Sequence, residues 1–238
     1  QYHTKKLRVI EEVTMPYARI ITIDGPAGCG KTTLGYRLAE ELNYSFLDSG
    51  ILYRAITRHV MNVGAKPHQL DSVQAYTETL TLTIKKLRPR FQFEINGKKV
   101  SKLNSLQIDK LVPIIAAYPF IREKVRAMQR EIAAQGQVII AGRDIGTVIL
   151  PDADLKIYLD VSLEERAVRR HAKQNTEERS LDQVREDMRL RDIADATRET
   201  SPMRAATDAV IIKTDGLHVD EVVATVLQHA YIEPENED

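Results

Sequence analysis

Residues 19–42 read RIITIDGPAGCGKTTLGYRLAEEL, and the change of pattern inside this stretch decides the fold. Arg19 to Asp24 run apolar and β-branched, as a buried strand does, into a turn punctuated by Gly25, Gly28 and Gly30. Beyond the turn Leu34, Leu38 and Leu42 recur at the spacing of one helix face. The string Gly25-Pro26-Ala27-Gly28-Cys29-Gly30-Lys31-Thr32 fits G-x-x-x-x-G-K-[ST]. In that pattern the backbone N–H groups of a Gly-rich turn cradle phosphates, the lysine reaches the terminal ones, and the hydroxyl holds Mg²⁺. The positive end of the following helix adds to the cradle. A Gly-rich strand-to-helix turn can match by chance, but here both flanks that a phosphate loop requires are present.

Composition narrows the classes. The chain has 238 residues, 43% apolar and 29% charged, which suits a folded domain with one substantial core and room for a small insertion. Lys plus Arg and Asp plus Glu both total 34, so the net charge is zero and there is no bulk positive field for a nucleic-acid backbone. No run of about 18 apolar residues exists, and the first residues carry Lys5, Lys6, Arg8, Glu11 and Glu12 without an apolar signal core. No membrane association and a cytoplasmic location are the expectation. Cys29 is the single cysteine, which excludes an internal disulfide and a cysteine-based metal cluster.

The strand-helix grammar continues downstream. Ile121, Val125, Met128 and Ile132 form an apolar helical stripe ending at Gly136, and QVIIA (137–141) follows as a buried strand. LKIYLDV (155–161) and AVIIK (209–213) are further strands, each followed by a helical stretch. Such alternation implies a parallel sheet with ligands gathered at the carboxyl ends of its strands. Between residues 66 and 113 the period becomes two: Leu80, Leu82 and Ile84 alternate with threonines, and Phe91, Phe93 and Ile95 lead into the hairpin signal Asn96-Gly97. The basic run KKLRPR (85–90) is expected to be a solvated turn of this antiparallel insert.

Three constellations fall where a phosphate-loop protein needs a second ligand. In LDSGILYRA (47–55), Tyr53 and Arg54 follow Ser49 at the start of a helix and offer an aromatic face beside a guanidinium; a capped helix with a surface arginine is the plain alternative. In AGRDIGT (141–147), Arg143 can grip phosphate and Asp144 can accept from an amine, or the charges can simply satisfy one another. In RLRDIADATRETSP (189–202), Arg191, Asp195 and Arg198 share one helix face, where surface ion pairs are the alternative. VSLEERAVRRH (161–171) adds Arg166, Arg169 and Arg170, placed to reach toward phosphates as a lid.

Taken together, IDGPAGCGKTTL, LDSGILYR, AAYPFIR, AGRDIGT, LDVSLEERAVRR and RDIADATRETSP resemble, in order and spacing, the bacterial cytidylate kinases among the P-loop nucleoside-monophosphate kinases, over roughly residues 18–231. DSG-x-x-YR and GRD-x-GT are far more selective than the phosphate loop alone. The resemblance implies an α/β P-loop NTPase fold: a central parallel sheet flanked by helices, a small antiparallel insert and a short helical lid. It implies a core at 18–65 and 114–231 with the lid at about 162–190, and a nucleoside-monophosphate-binding insert at 66–113. Residues 1–17 would be an extension or tag and 232–238 a tail.

The implied reaction is transfer of the ATP γ-phosphoryl group to CMP or dCMP in pyrimidine nucleotide metabolism, with Mg²⁺ as cofactor, by a monomer without nucleic-acid or membrane partners. ATP would lie on Gly25, Pro26, Ala27, Gly28, Cys29, Gly30, Lys31, Thr32, Thr33 and Arg169, with Mg²⁺ on Thr32. The acceptor nucleotide would lie on Ser49, Tyr53, Arg54, Arg122, Arg143, Asp144, Asp195 and Arg198, with Asp195 at the ribose. Lys31, Arg143, Arg170 and Arg191 are the expected catalytic residues. A phosphate monoester is already nucleophilic at neutral pH, so the chemistry calls for alignment and charge neutralisation, which arginines supply. None of the six histidines is assigned a catalytic role.

The stretch VPIIAAYPFIR departs from the family pattern by carrying Pro113 where a serine is usual, and KKVSKLN is atypical as well. Base selectivity is the property this puts in question. The alternatives are a kinase of another small acceptor such as UMP, shikimate or a CoA precursor, and a nucleotide-binding module without catalysis.

Overall fold

The apolar runs read as core strands lie in one parallel sheet. The computed structural model describes residues 17–101, 103, 105–174 and 179–232. In chain order these form β1 (Ile20–Asp24), α1 (Lys31–Leu42), β2 (Ser45–Asp48), α2 (Gly50–Asn62), α3 (Leu70–Thr77), β3 (Leu82–Leu87), β4 (Arg90–Ile95) and β5 (Lys98–Lys99). There follow α4 (Leu106–Ala117), α5 (Pro119–Ala134), β6 (Val138–Gly142), a π-type turn (Ile145–Ile149), β7 (Leu155–Asp160), α6 (Leu163–Gln174), α7 (Leu181–Ala196), β8 (Val210–Lys213) and α8 (Val219–Ala230). Of the expected extension over 1–17 only Tyr17 is among the described residues; it forms an antiparallel bridge with Tyr231, ring centroids 5.9 Å apart.

The sheet order is β2-β6-β1-β7-β8. Ile21, Ile23, Ile139, Ile157 and Leu159 point to one face, where Leu34 and Leu38 of α1 and Val222 and Val226 of α8 cover them. Leu47, Val138 and Ile140 point to the other, against Leu52 and Ile56 of α2 and Ile121 and Val125 of α5. Cover on both faces is why these strands read as continuous apolar runs. Each fully buried Leu or Ile contributes about 1.5–3 kcal/mol, so the sheet holds its helices without help from polar contacts. The parallel register aligns Asp24 with Gly142 and Tyr158, and Asp48 with Ala141. The loops leaving β1, β2, β6 and β7 therefore emerge side by side at one edge of the sheet, and that edge carries the site.

The insert differs from its expected form in two respects. β3, β4 and β5 make the antiparallel sheet, and Asn96 (φ 49°) and Gly97 (φ 73°) make the two-residue turn between Ile95 and Lys98. The same interval also contains α3, and α4 runs through residue 113. In α3 only Val73 and Thr77 are buried, a face too narrow to register as a helical stripe. Pro113 is inside α4 on its exposed side.

KKLRPR is the expected inter-strand turn between β3 and β4, with Lys85, Leu87, Arg88 and Arg90 exposed, and it also touches the core domain. Phe46 N donates to Pro89 O (2.8 Å), Lys86 Nζ to Gly136 O (3.0 Å) and Arg88 Nη2 to Gln137 Oε1 (2.5 Å). The Arg90 guanidinium stands 4.9 Å from the centroid of the Tyr36 ring. The Gly136 carbonyl lies just past the C-terminus of α5, a negative end that attracts the Lys86 ammonium.

Candidate functional site

The loop after β1 turns through positive φ at Gly25, Gly28 and Gly30, and Gly30 caps α1. Lys31 is folded back on this loop. Its ammonium donates to Gly25 O and Pro26 O, both at 2.7 Å, and lies 3.3 Å from Cys29 Sγ. Burial, and then the charge of Arg143, pull the Lys31 pKa from 10.5 down to about 8. Cys29 is 2% exposed and packs in the core under the loop. Thr32 and Thr33 are exposed, and Thr32 Oγ1 donates to Asp48 Oδ2 at 2.8 Å.

Asp48 ends β2, and its other carboxylate oxygen accepts from Gly50 N (3.1 Å), so Asp48 caps α2 while the Ser49 side chain makes no cap bond. Ser49 is buried, with its amide bonded to Ala141 O of β6 (2.9 Å). Tyr53 projects from the first turn of α2 among Arg122, Asp144, Arg198 and Arg126, and burial raises its pKa. Arg54 opens the next turn and is held by Asp109 of α4 (2.5 Å) and Leu103 O (3.0 Å).

The loop after β6 brings Arg143 and Asp144 between these groups. Arg143 Nε donates to Asp195 Oδ2 (2.9 Å) and its Nη1 to Gly25 O (3.1 Å). Asp144 is buried and faces Arg122 at 3.4 Å. Arg198 lies beyond the C-terminus of α7, not on the helix, with Nη2 3.8 Å from Asp195 Oδ1. Asp195 thus answers Arg143, which comes from a distant loop, so the alternative of plain helix-surface ion pairs does not describe it.

Arg191 has Arg143, Arg170 and Arg54 around it and Asp195 as its counter-charge. Burial in the cleft first, then Arg143, lower its pKa, although solvent still reaches the side chain across the open cleft. Like charges gathered in this way repel unless an anion joins them. Among the described residues, Arg122 Nε, Arg126 Nε and Arg198 Nη2 are buried without a hydrogen-bond partner.

Two expected lid arginines are committed elsewhere. Arg166 is 5% exposed and donates to Val161 O (3.0 Å), Ala27 O (3.0 Å) and Asp192 Oδ2 (2.6 Å). It clamps the Gly-rich loop instead of reaching for a ligand, and Asp192 Oδ1 accepts from Ala27 N at 3.3 Å. Arg169 is held by Glu165 (2.8 Å) and Thr214 O (2.9 Å) on the β8 side. Arg170 is half-buried and close enough to Arg191 to perturb it.

Sequence reasoning assigned no role to Asp24, Asp48, Arg126 or Asp192. A signal for two of them was present: IITID and SFLD are apolar strands that end on a carboxylate directly before a Gly-containing loop.

A Gly-rich cradle with its lysine and hydroxyl, faced across a cleft by a crowd of arginines, defines a P-loop phosphotransferase that works on two anionic ligands. The cytidylate kinase family matches residues 21–231. The cytidylate kinase of Desulfitobacterium hafniense (strain Y51) is 40% identical over 87% of this chain and 90% of its own. That of Geobacillus kaustophilus (strain HTA426) is 39% identical over 87% and 94%. The chain belongs to the cytidylate kinase family. An uncharacterized protein from Eubacterium ventriosum ATCC 27560, 13% identical, superposes with a TM-score of 0.50 over 90% of this chain and 98% of that one, a likeness of fold alone.

Proposed function

We infer that the chain transfers the γ-phosphoryl group of ATP to CMP, and to dCMP at the same site, giving the nucleoside diphosphate and ADP. The observation that carries the reading is the gathering of Arg54, Arg143 and Arg170 around Arg191. These charges lie beside the Gly25–Thr32 loop, to which Arg143 is bonded through Gly25 O.

A phosphate oxygen of CMP attacks the γ-phosphorus in line, the bond from the γ-phosphorus to the β–γ bridging oxygen breaks, and ADP leaves with that oxygen. No general base is required, because the attacking monoester is already ionised at neutral pH. Arg143 and Arg191 neutralise the charge that spreads over the transferring group, with Arg170 alongside. Lys31 exchanges the Gly25 and Pro26 carbonyls for the terminal phosphates of ATP. Arg54 and Arg198 hold the acceptor phosphate, Asp195 the ribose, and Tyr53 the face of the base. Asp144 accepts from the cytosine amine while Arg122 donates to the ring carbonyl.

Thr32 Oγ1 and the Asp48 carboxylate place two hard oxygen donors at the end of the cradle. They fit Mg²⁺, which takes one or two protein oxygens and completes its shell with phosphate and water. When bound it neutralises the β- and γ-phosphate charge. Thr32 and Asp48 would hold it at the donor end.

The test is ADP release, coupled to NADH oxidation, with CMP, dCMP, UMP and AMP as acceptors. CMP and dCMP are expected to give the highest kcat/KM. UMP or AMP as the best acceptor overturns the assignment of the base, and absence of acceptor-dependent ADP release overturns phosphoryl transfer.

A further inference from the structure

Asp24 is the last residue of β1, directly before the Gly-rich loop, and is 4% exposed. Its carboxylate accepts two backbone bonds, from Ile145 N at 3.0 Å and Gly146 N at 2.7 Å. Those amides open the π-type turn that follows Arg143 and Asp144. They are groups a helical start leaves unsatisfied, and a carboxylate there is favourable. At the next residue, Gly25 O accepts from both Lys31 and Arg143. The Asp24-Gly25 unit is therefore the joint at which the donor cradle and the acceptor-side arginine meet.

The carboxylate is costly where it stands. Burial raises it from 3.8 to about 6, against the pull of the two amides. Gly146 allows the close approach. A Cβ there would lie 2.9 Å from Thr22 Oγ1 and 3.3 Å from the Lys156 stem, so the turn sits hard against β1 and has little room to re-seat.

We propose that Asp24 is a positioning residue: by holding the Ile145 and Gly146 amides it fixes the Arg143–Asp144 loop relative to the Gly25–Thr32 loop, and so sets the distance between donor and acceptor phosphates. Neither nucleotide touches it. Its loss leaves both half-sites able to bind and misaligns them, and a misplacement of about 1 Å in an in-line transfer costs on the order of a hundredfold in rate. The proposal rests on the phosphoryl-transfer reading above.

The experiment compares the parent chain with Asp24→Asn and Gly146→Ala. Equilibrium Kd values for ATP and for CMP come from calorimetry, and kcat from ADP release. The asparagine keeps the shape, replaces one acceptor with a donor that faces a backbone N–H, and removes the buried charge. The expected result is a kcat lowered at least about tenfold in each variant, with both Kd values within about twofold of the parent. The double variant is expected to lose no more than the worse single one, since both changes break the same contact. Unchanged kcat per folded molecule in Asp24→Asn, or a loss that resides wholly in the Kd for CMP, overturns the proposal. Should Asp24→Asn fail to fold, Gly146→Ala alone decides, by the same split between kcat and Kd. A parent chain that releases no ADP with any acceptor fails the underlying reading instead, and the two failures are thereby distinguished.

Discussion

Arg143 donates through Nε to Asp195 at 2.9 Å, joining the loop after β6 to the last turn of α7 across 52 residues of chain. Both side chains are about one-fifth exposed, 18% and 19%, which separates this pair from a surface ion pair worth about 0.2–1 kcal/mol. The pair opposes guanidinium charge on the acceptor side of the site. Asp195→Ala is expected to raise the KM for CMP about tenfold, roughly 1.4 kcal/mol of acceptor binding, with the KM for ATP within about twofold. Steady-state kinetics with each substrate varied in turn checks this; a KM for CMP equal to the parent's would reduce the pair to a structural contact.

Lys31 carries the second prediction. With its pKa near 8 in the ligand-free protein, part of the population is neutral at pH 8, and a triphosphate brought against it restores the charged form. ATP binding at pH 8 should therefore take up a fraction of a proton, and the uptake should vanish below about pH 7, where the group is already charged. Calorimetry in two buffers of different ionisation enthalpy measures it directly. Lys31→Ala should abolish the uptake and lower kcat by about 10²–10³, with its unfolding midpoint in urea no lower than the parent's.

A third expectation follows from Arg166, which bonds two backbone carbonyls and Asp192 while almost wholly buried. Truncation leaves the Asp192 carboxylate without its cation, and breaking a buried pair from one side costs about 3–5 kcal/mol. Arg166→Ala is expected to lower the unfolding free energy extrapolated from urea titration by about that amount; an unfolding free energy equal to the parent's would show that the clamp contributes nothing.

Asp24 gives a pH signature in stability. Its pKa is raised from 3.8 to about 6 in the folded chain, so the native state binds the proton more tightly than the unfolded state does. Below about pH 4 both states are protonated and the group is neutral for stability. From there to about pH 6 the native state keeps a proton that the unfolded state releases, and stability falls by roughly 1.4 kcal/mol per pH unit. Above about pH 6 the cost is constant. The unfolding free energy of Asp24→Asn minus that of the parent should rise between pH 4 and 6 and then level off, as read from urea titrations at a series of pH values. A difference independent of pH would show that the carboxylate is not buried as described.

The elements that were legible in the sequence are those whose cause is local. The Gly-rich loop, the stripe Ile121, Val125, Met128, Ile132 ending at Gly136, and the Asn96-Gly97 turn each depend on residues a few positions apart, and each stands in the structure where the pattern puts it, save that Met128 is only half-buried and Gln129 is buried beside it. The candidate residues were legible by chemistry, since arginines beside glycine-ended strands have few other uses. Their partners were not. Arg191, Asp195 and Arg198 read as one helix face, whereas the helix stops at Ala196 and Asp195 turns to Arg143. Arg166 read as a lid cation and is a buried clamp, and KKLRPR is the largely exposed inter-strand turn it read as, but its contacts with β2 and the end of α5 were not legible.

By itself, then, the sequence determined the phosphate loop, the parallel strands and the supply of arginines, because hydrophobic period and backbone preference act over one or two turns of chain. Only the tertiary structure decided which charge meets which. The register that sets Asp24 beside Gly142 and Asp48 beside Ala141 brings together loops roughly a hundred residues apart in the chain. In that crowded edge each carboxylate takes the donor that packing leaves nearest: Asp24 the amides of Ile145 and Gly146, Asp192 the clamp on Ala27, and Asp195 the guanidinium of Arg143. No spacing along the chain encodes those choices, since they follow from the desolvation cost of leaving any of these groups unpaired once the strands have packed.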